Sequence, residues 1–292
     1  MVLPDIVEPE RPLGRRLHIM HRTGYRYADV VEATFNEVRM TPFTGDGQQL
    51  LSHSLEIHPS ATVQSYSDYW GAQVESFDVH LPHRLLEIIA VSTVDTRGAP
   101  TWGDGSTWED LAAPSLRDAT AEFLMATPYV DLELDDTRRA IAEEMRSLPT
   151  PREAALLAVA RVREQIAYEA GITDVSTTAH QAWASGRGVC QDFAHTTLSL
   201  LRVAGIPSRY VSGYLHTEEP AVGRTVVGES HAWVEYWDGG WRALDPTNDR
   251  IVGSAHVLVA RGRDYADVPP LKGIYAGGNS EGLGVTVEIT QL

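Results

Sequence analysis

The sequence predicts an α+β protein. Three observations carry that expectation. β-rich runs fill residues 15–95, helical periodicity replaces them between about residues 114 and 203, and β-rich runs return after Pro207. Strands, helices and strands in separate blocks fit segregated layers better than alternating βαβ units. The chain has 292 residues, 43% apolar and 22% charged, enough for a sizeable core and roughly two domains.

Residues 1–14 read as a loose, proline-bearing arm, and 15–100 as a β-rich, sandwich-like domain. Its strands are expected at Leu17–Met20, Gly24–Ala28, His53–His58, Thr62–Tyr66, Trp70–His80 and Leu85–Val94. Turn formers separate them, among them Gly45-Asp46-Gly47 and His58-Pro59-Ser60. A polar, glycine-containing linker follows at Thr96–Trp108, and the core is expected over 101–275. Pro114–Met125 and Asp135–Ser147 have helical period, the second behind Asp135 as a cap. Thr150–Ala167 is a third helix, with Pro151 in its first turn and Ala155, Val159, Val162 and Ile166 on one stripe. A glycine-rich turn at Gly186–Gly188 leads into a buried helix over Val189–Val203, which Gly205-Ile206-Pro207 ends. Strands are then expected at Ser208–Leu215, His231–Trp237, Trp241–Leu244 and His256–Ala260. Residues 276–292 end in the alternating run Gly284–Leu292, a strand expected to return to the N-terminal sheet.

The charge balance narrows the function. With 24 Lys+Arg against 40 Asp+Glu the formal net charge is −16. Such a surface opposes nucleic-acid and anionic-membrane binding. No stretch of apolar residues is long enough to span a bilayer. The opening residues lack a basic, then apolar leader pattern, so the expected location is the cytoplasm. Lys272 is the only lysine. No phosphate loop, dinucleotide fingerprint, serine elbow or metal-ligand spacing appears, and no cofactor or metal is expected. His180, His216 and His256 fall in no ligand pattern, and the acidic run Asp131–Asp136 does not match a calcium loop.

Cys190 is the only cysteine, which excludes an intramolecular disulfide. Such a residue is either a small buried hydrophobe or a nucleophile with a histidine in reach. Its surroundings favour the nucleophile. In Gly186-Arg187-Gly188-Val189-Cys190-Gln191-Asp192-Phe193-Ala194-His195 the thiol falls at a helix N-terminus, where the dipole stabilises a thiolate and free N–H groups can hold an oxyanion. A run headed by His231 and a run ending in Asp245 flank Asp238-Gly239-Gly240. A three-residue loop there pairs Trp237 with Trp241 and puts His231 and Asp245 on one face as diagonal neighbours; a two-residue loop would separate them. The triad of Cys190, His231 and Asp245 therefore requires the odd loop. Tyr168 and Gln165 are alternative second oxyanion donors, with an aromatic core role also open to Tyr168. Gln191 and Trp233 are candidate lining residues, and Trp183 a candidate groove wall. Asp192, His195 and Asn248 are expected behind these groups. His195 is about 140° round the helix from Cys190, the wrong face for a base.

The pieces G-R-G-V-C-Q-D-F-A-H, L-L-R-V-A-G-I-P-S-R-Y-V-S-G-Y, H-A-W-V-E-Y and W-R-A-L-D-P-T-N, in that order, resemble the core of the transglutaminase-like superfamily of papain-like cysteine enzymes. The first hundred residues resemble the N-terminal region that accompanies this core in many bacterial proteins. The resemblance implies helices packed on an antiparallel sheet, and acyl transfer from a peptide or side-chain amide through a thioester. Hydrolysis, as by a protease or amidase, is slightly favoured. The alternatives are crosslinking of the protein-glutamine gamma-glutamyltransferase kind and a catalytically silent peptide- or protein-binding module.

Overall fold

The computed structural model describes residues 14–98, 103–218, 222–228, 230–277 and 279–292. The expected arm, apart from Gly14, and linker residues 99–102 lie outside the described residues. The N-terminal part holds β1 (Arg15–Val31), β2 (Ala33–Val38), β3 (Gln48–His58), β4 (Val63–Ser67), β5 (Gln73–Val79) and β6 (His83–Thr96). Short helices α1 (Trp108–Ala112) and α2 (Pro114–Ala119) precede α3 (Asp136–Ser147) and α4 (Pro151–Gln165). Then come β7 (Ala167–Tyr168), α5 (Ala179–Ser185), β8 (Arg187–Gly188) and α6 (Cys190–Ala204). The remainder is β9 (Ser208–Leu215), β10 (Thr225–Gly228), β11 (His231–Trp237), β12 (Trp241–Asp245), β13 (Arg250–Ile251), β14 (His256–Gly262), β15 (Leu271–Ala276) and β16 (Ser280–Gln291).

Two sheets, ordered β10-β16-β1-β6-β3 and β15-β2-β5-β4, enclose a core that includes Tyr27, Val31, Val38, Met40, Phe77, Leu86 and Ile88. On β1 the buried residues Leu17, Ile19, His21 and Thr23 recur at period two, as a half-buried strand requires. β16 runs antiparallel to β1 from Leu17↔Gln291 to Tyr27↔Ser280. Two strands within 101–275 also complete these sheets, because β15 pairs with β2 and β10 with β16. The third sheet, β13-β12-β11-β9-β14, packs against α6. Leu17, Ile19, Val94, Val287 and Ile289 share one apolar cluster with Leu157, Leu198, Leu200 and Val234, so the N-terminal sheet and the helical layer share a core. His21 on β1 hydrogen-bonds the Tyr214 hydroxyl of β9 at 3.0 Å across that junction.

Local chemistry sets the helix ends. Thr150 and Glu153 form a capping box on α4, and Asp135 caps α3. Several elements differ in extent from the sequence expectation. The expected strands Leu17–Met20 and Gly24–Ala28 are one strand, β1, because pairing with β6 and β16 runs unbroken through Arg22 and Thr23, and the expected strand His53–His58 begins at Gln48. The expected helix Pro114–Met125 breaks at Thr120, whose hydroxyl donates to the Leu116 carbonyl; α2 has no buried residue to sustain it, and a 3₁₀ turn follows. The expected strand Trp70–His80 begins at Gln73, because Asp68 holds the N–H groups of Trp70 and Ala72 in a turn. Strands β2, β10, β13 and β15 and helices α1 and α5 have no counterpart in the sequence expectation. β2 follows β1 after one residue with no turn former, and α5 is seven residues long. The run 131–136 is more than a solvated face, since Asp131 and Asp135 hold the fully buried Arg138.

Candidate active site

Helix α6 delivers Cys190. Strands β7 and β8 pair in parallel, Tyr168↔Gly188, and bring the chain into the helix. Gly188 is required there, because a Cβ would lie 2.6 Å from the Asp192 Cβ. Asp192 is buried and accepts from the Val189 N–H at 2.8 Å and the Thr173 hydroxyl at 2.7 Å, fixing the first turn. Burial, outweighing these bonds, pushes its carboxyl above the usual range. Cys190 is the first helical residue and half-buried. The N–H groups of Cys190 and Gln191 sit in the first turn, where helix geometry provides no acceptor.

The β11–β12 hairpin delivers His231 and Asp245. Its register is Trp237↔Trp241 through Val234↔Leu244, so Asp238-Gly239-Gly240 is a three-residue loop. The odd loop required by the sequence argument is present, and His231 and Asp245 share a face. His231 Nε2 lies 2.8 Å from Asp245 Oδ2. The Cys190 thiol lies beside the His231 ring and interacts with it, and with Nε2 committed to Asp245, Nδ1 is the nitrogen left for sulfur. Burial alone would lower the His231 pKa. The hydrogen bond to Asp245 and the interaction with Cys190 outweigh it and push the value up to about 10.

Asp245 is fully buried and held by five donors. Oδ1 accepts the backbone N–H groups of Thr247 and Asn248, each at 3.1 Å. Oδ2 accepts His231 Nε2, the Asn248 side-chain amide at 2.8 Å and His256 Nε2 at 3.1 Å. Burial works against ionisation, but the bonds from His231 and His256 hold the carboxyl far below the usual range. Asn248 thus stands behind the pair, as expected. His256 escaped the sequence reading: it heads β14, which reaches β11 only through β9, and no local pattern announces that. The ligand atoms of His231, Asp245 and His256 lie within 4.8 Å of one another. Hydrogen bonding accounts for that closeness.

The other named residues fall as follows. Trp233 is buried under the site, its ring centroid 5.3 Å from His256 and 6.1 Å from His231. Gly213 on β9 makes room for it, since a Cβ there would be 2.6 Å from the Trp233 ring. Gln191 donates to the Val175 carbonyl at 3.2 Å and so ties the 169–177 loop to the helix. Tyr168 is 60% exposed, which corrects the core role and keeps it on the surface beside Gly188. Gln165 donates to the Trp183 carbonyl and lines a groove with Asp136, Thr137 and Ile141, so it is turned to the α3–α5 side. Trp183 packs in the apolar core and also lines the same groove as Gln165. His195 is fully buried, accepts the Tyr265 N–H at 3.2 Å and lies between the Tyr129 and Tyr210 rings. Burial, with Arg202 nearby, lowers its pKa to about 3. Among the described residues no helix is long and apolar enough to cross a membrane.

Comparison with known proteins agrees with this architecture. The family model described as the transglutaminase-like superfamily matches residues 139–246, and that of the bacterial transglutaminase-like N-terminal region matches 17–95. An uncharacterized protein of Mycobacterium leprae is 41% identical over 279 residues, 95% of this chain and 99% of that protein. A protein-glutamine gamma-glutamyltransferase of Pseudomonas aeruginosa is 32% identical over 145 residues, 45% of this chain and 22% of that protein. The crystal structure of a candidate cysteine protease from Cytophaga hutchinsonii superposes with a TM-score of 0.76 at 22% identity, covering 97% of this chain and 92% of the other, and so shares the α+β fold. The chain belongs to the transglutaminase-like superfamily, its core joined to the bacterial transglutaminase-like N-terminal region.

Proposed function

We propose that the chain is a cysteine-dependent acyl-transfer enzyme that cleaves peptide or side-chain amides. The observation that carries this is the His231 imidazole, set between the Cys190 thiol at the head of α6 and the buried Asp245 carboxylate, which lies 2.8 Å from Nε2. His231 takes the thiol proton, and Asp245 stabilises the resulting imidazolium. The thiolate attacks the amide carbonyl carbon, and the oxyanion faces the first-turn N–H groups of α6. As the C–N bond breaks, His231 gives its proton to the departing nitrogen, leaving a thioester on Cys190. Water, deprotonated by His231, then attacks the thioester carbonyl. The acid leaves and the thiol regains its proton.

Partial exposure of Cys190 supports water as the acceptor. The Pseudomonas aeruginosa relative favours a second reading, in which a primary amine attacks the thioester instead. A thiol that attacks a peptide or side-chain amide takes a protein or peptide as its partner. The test is incubation with glutamine-containing peptides, with and without methylamine, followed by mass spectrometry, with Cys190→Ala as control. Hydrolysis predicts the free acid as main product, absent in the variant. A predominant methylamide would establish transfer. Failure to turn over any peptide, with equal peptide binding by both proteins, would sink the enzyme reading in favour of a binding module.

A further inference from the structure

We propose that His256 disperses the charge of Asp245 and thereby sets how tightly Asp245 holds the proton of His231. This rests on the reading of His231 as the base. His256 is buried and its two ring nitrogens have fixed roles. Nδ1 lies 3.3 Å from the Gly253 N–H and accepts it. Nε2 faces the Asp245 carboxylate at 3.1 Å, so it carries the proton and donates. The geometry therefore selects one neutral tautomer.

Orientation of Asp245 does not require this donor. Two backbone N–H groups fix Oδ1, and Asn248 and His231 fix Oδ2. A fifth donor on an anchored carboxylate chiefly draws charge away from the bond to His231. The groups around His256 keep it neutral. His231 on β11 is 6.2 Å away between ring centroids, Arg250 on β13 is a further positive charge, and the Trp233 ring meets it edge-on. On the β9 side its backbone partner is the apolar Leu215. Burial, with Arg250 and His231, outweighs the pull of Asp245 and lowers its pKa. A neutral donor tempers Asp245 without placing a second cation beside the imidazolium. His256 is thus a positioning residue that acts on the base through the carboxylate.

The test is an NMR titration of the ¹⁵N-labelled His231 ring in the Cys190→Ala protein, which removes the thiol from the equilibrium. It is repeated with His256→Phe and with His256→Gln, which keeps an N–H donor. Loss of the donor is expected to raise His231 proton affinity about tenfold, one pH unit, and the glutamine to restore most of it. His256 itself is expected to show a single neutral Nε2–H tautomer at neutral pH. An unchanged or lowered His231 titration in the phenylalanine variant would overturn the proposal. So would a His256 that is protonated, or carries its proton on Nδ1, at neutral pH, which is readable even if the phenylalanine variant fails to fold. Cys190 alkylation in the otherwise unaltered protein is measured in parallel. A thiol reactive only at alkaline pH would overturn the proposed chemistry, while the titrations would still decide the role of His256.

Discussion

His195 is fully buried and His231 mostly so, with 11% of its side chain exposed, on elements that meet at Cys190: His195 on α6 itself, His231 at the head of β11. Their environments drive them in opposite directions. His195 sits between two tyrosine rings and accepts a backbone N–H, with no carboxylate bonded to it, and burial lowers its pKa to about 3. His231 is also desolvated, but the bond to Asp245 and the interaction with Cys190 reverse the sign and raise it to about 10. Burial alone makes a histidine an inert neutral ring. Burial beside a well-held carboxylate makes it a base that retains its proton.

The largest expected effect comes from removing that carboxylate. Asp245→Asn should keep the side-chain volume but lower amidase turnover by roughly 10³–10⁴-fold, as loss of the orienting acid does in comparable triads. It should also lower the His231 titration toward the behaviour of His195, leaving only the pull of Cys190 against burial. Steady-state kinetics with an imidazole NMR titration checks both.

A second expectation concerns pH. His195 at about 3 and His21 at about 4, both lowered by burial, lie below the ordinary 6.5. Unfolding frees both rings to take up protons. Their contribution to stability is therefore complete above about pH 6.5 and is lost as pH falls toward 4 and 3. Between pH 7 and 5 the two together should cost on the order of 3 kcal/mol of unfolding free energy, measurable by urea denaturation. His231 works in the opposite sense: its contribution is full below 6.5 and is lost as pH rises through about 10.

His195→Phe sharpens the contrast. Turnover should stay within about threefold, because His195 is not bonded to Cys190, His231 or Asp245, and roughly half of the acid-dependent loss should disappear. A large fall in activity with an unchanged melting temperature would give His195 a role that this account denies. The smallest effect is expected where a charge partner exists without burial. Arg16 and Asp95 pair at 2.6 Å on the surface. Arg16→Ala should leave the melting temperature unresolved from that of the parent, because solvent screens such pairs.

Much of the fold and the three central residues were legible in the sequence, for local reasons. The Asp238-Gly239-Gly240 turn located the hairpin but left its loop open at two or three residues; the observed pairing of Trp237 with Trp241 makes it three, and parity then puts His231 and Asp245 on one face. Gly188 and Asp192 marked the start of α6. What escaped depends on contacts between distant parts of the chain. The meeting of His256 with Asp245 follows from the order β12-β11-β9-β14, which no short run encodes. Strand β10 and strand β15 join N-terminal sheets although the chain between them builds the core. Helical position placed Gln165 and Tyr168 just ahead of the glycine turn, but could not show that one faces Trp183 and the other solvent.

The most direct test of the Cys190–His231–Asp245 couple is the rate of iodoacetamide alkylation of Cys190 as a function of pH. It should be measured in the unaltered protein and in His231→Ala. The single cysteine makes the signal unambiguous. The account predicts that at neutral pH the unaltered protein labels much faster than His231→Ala, which retreats toward free-thiol behaviour. Labelling confined to alkaline pH in both proteins would contradict it.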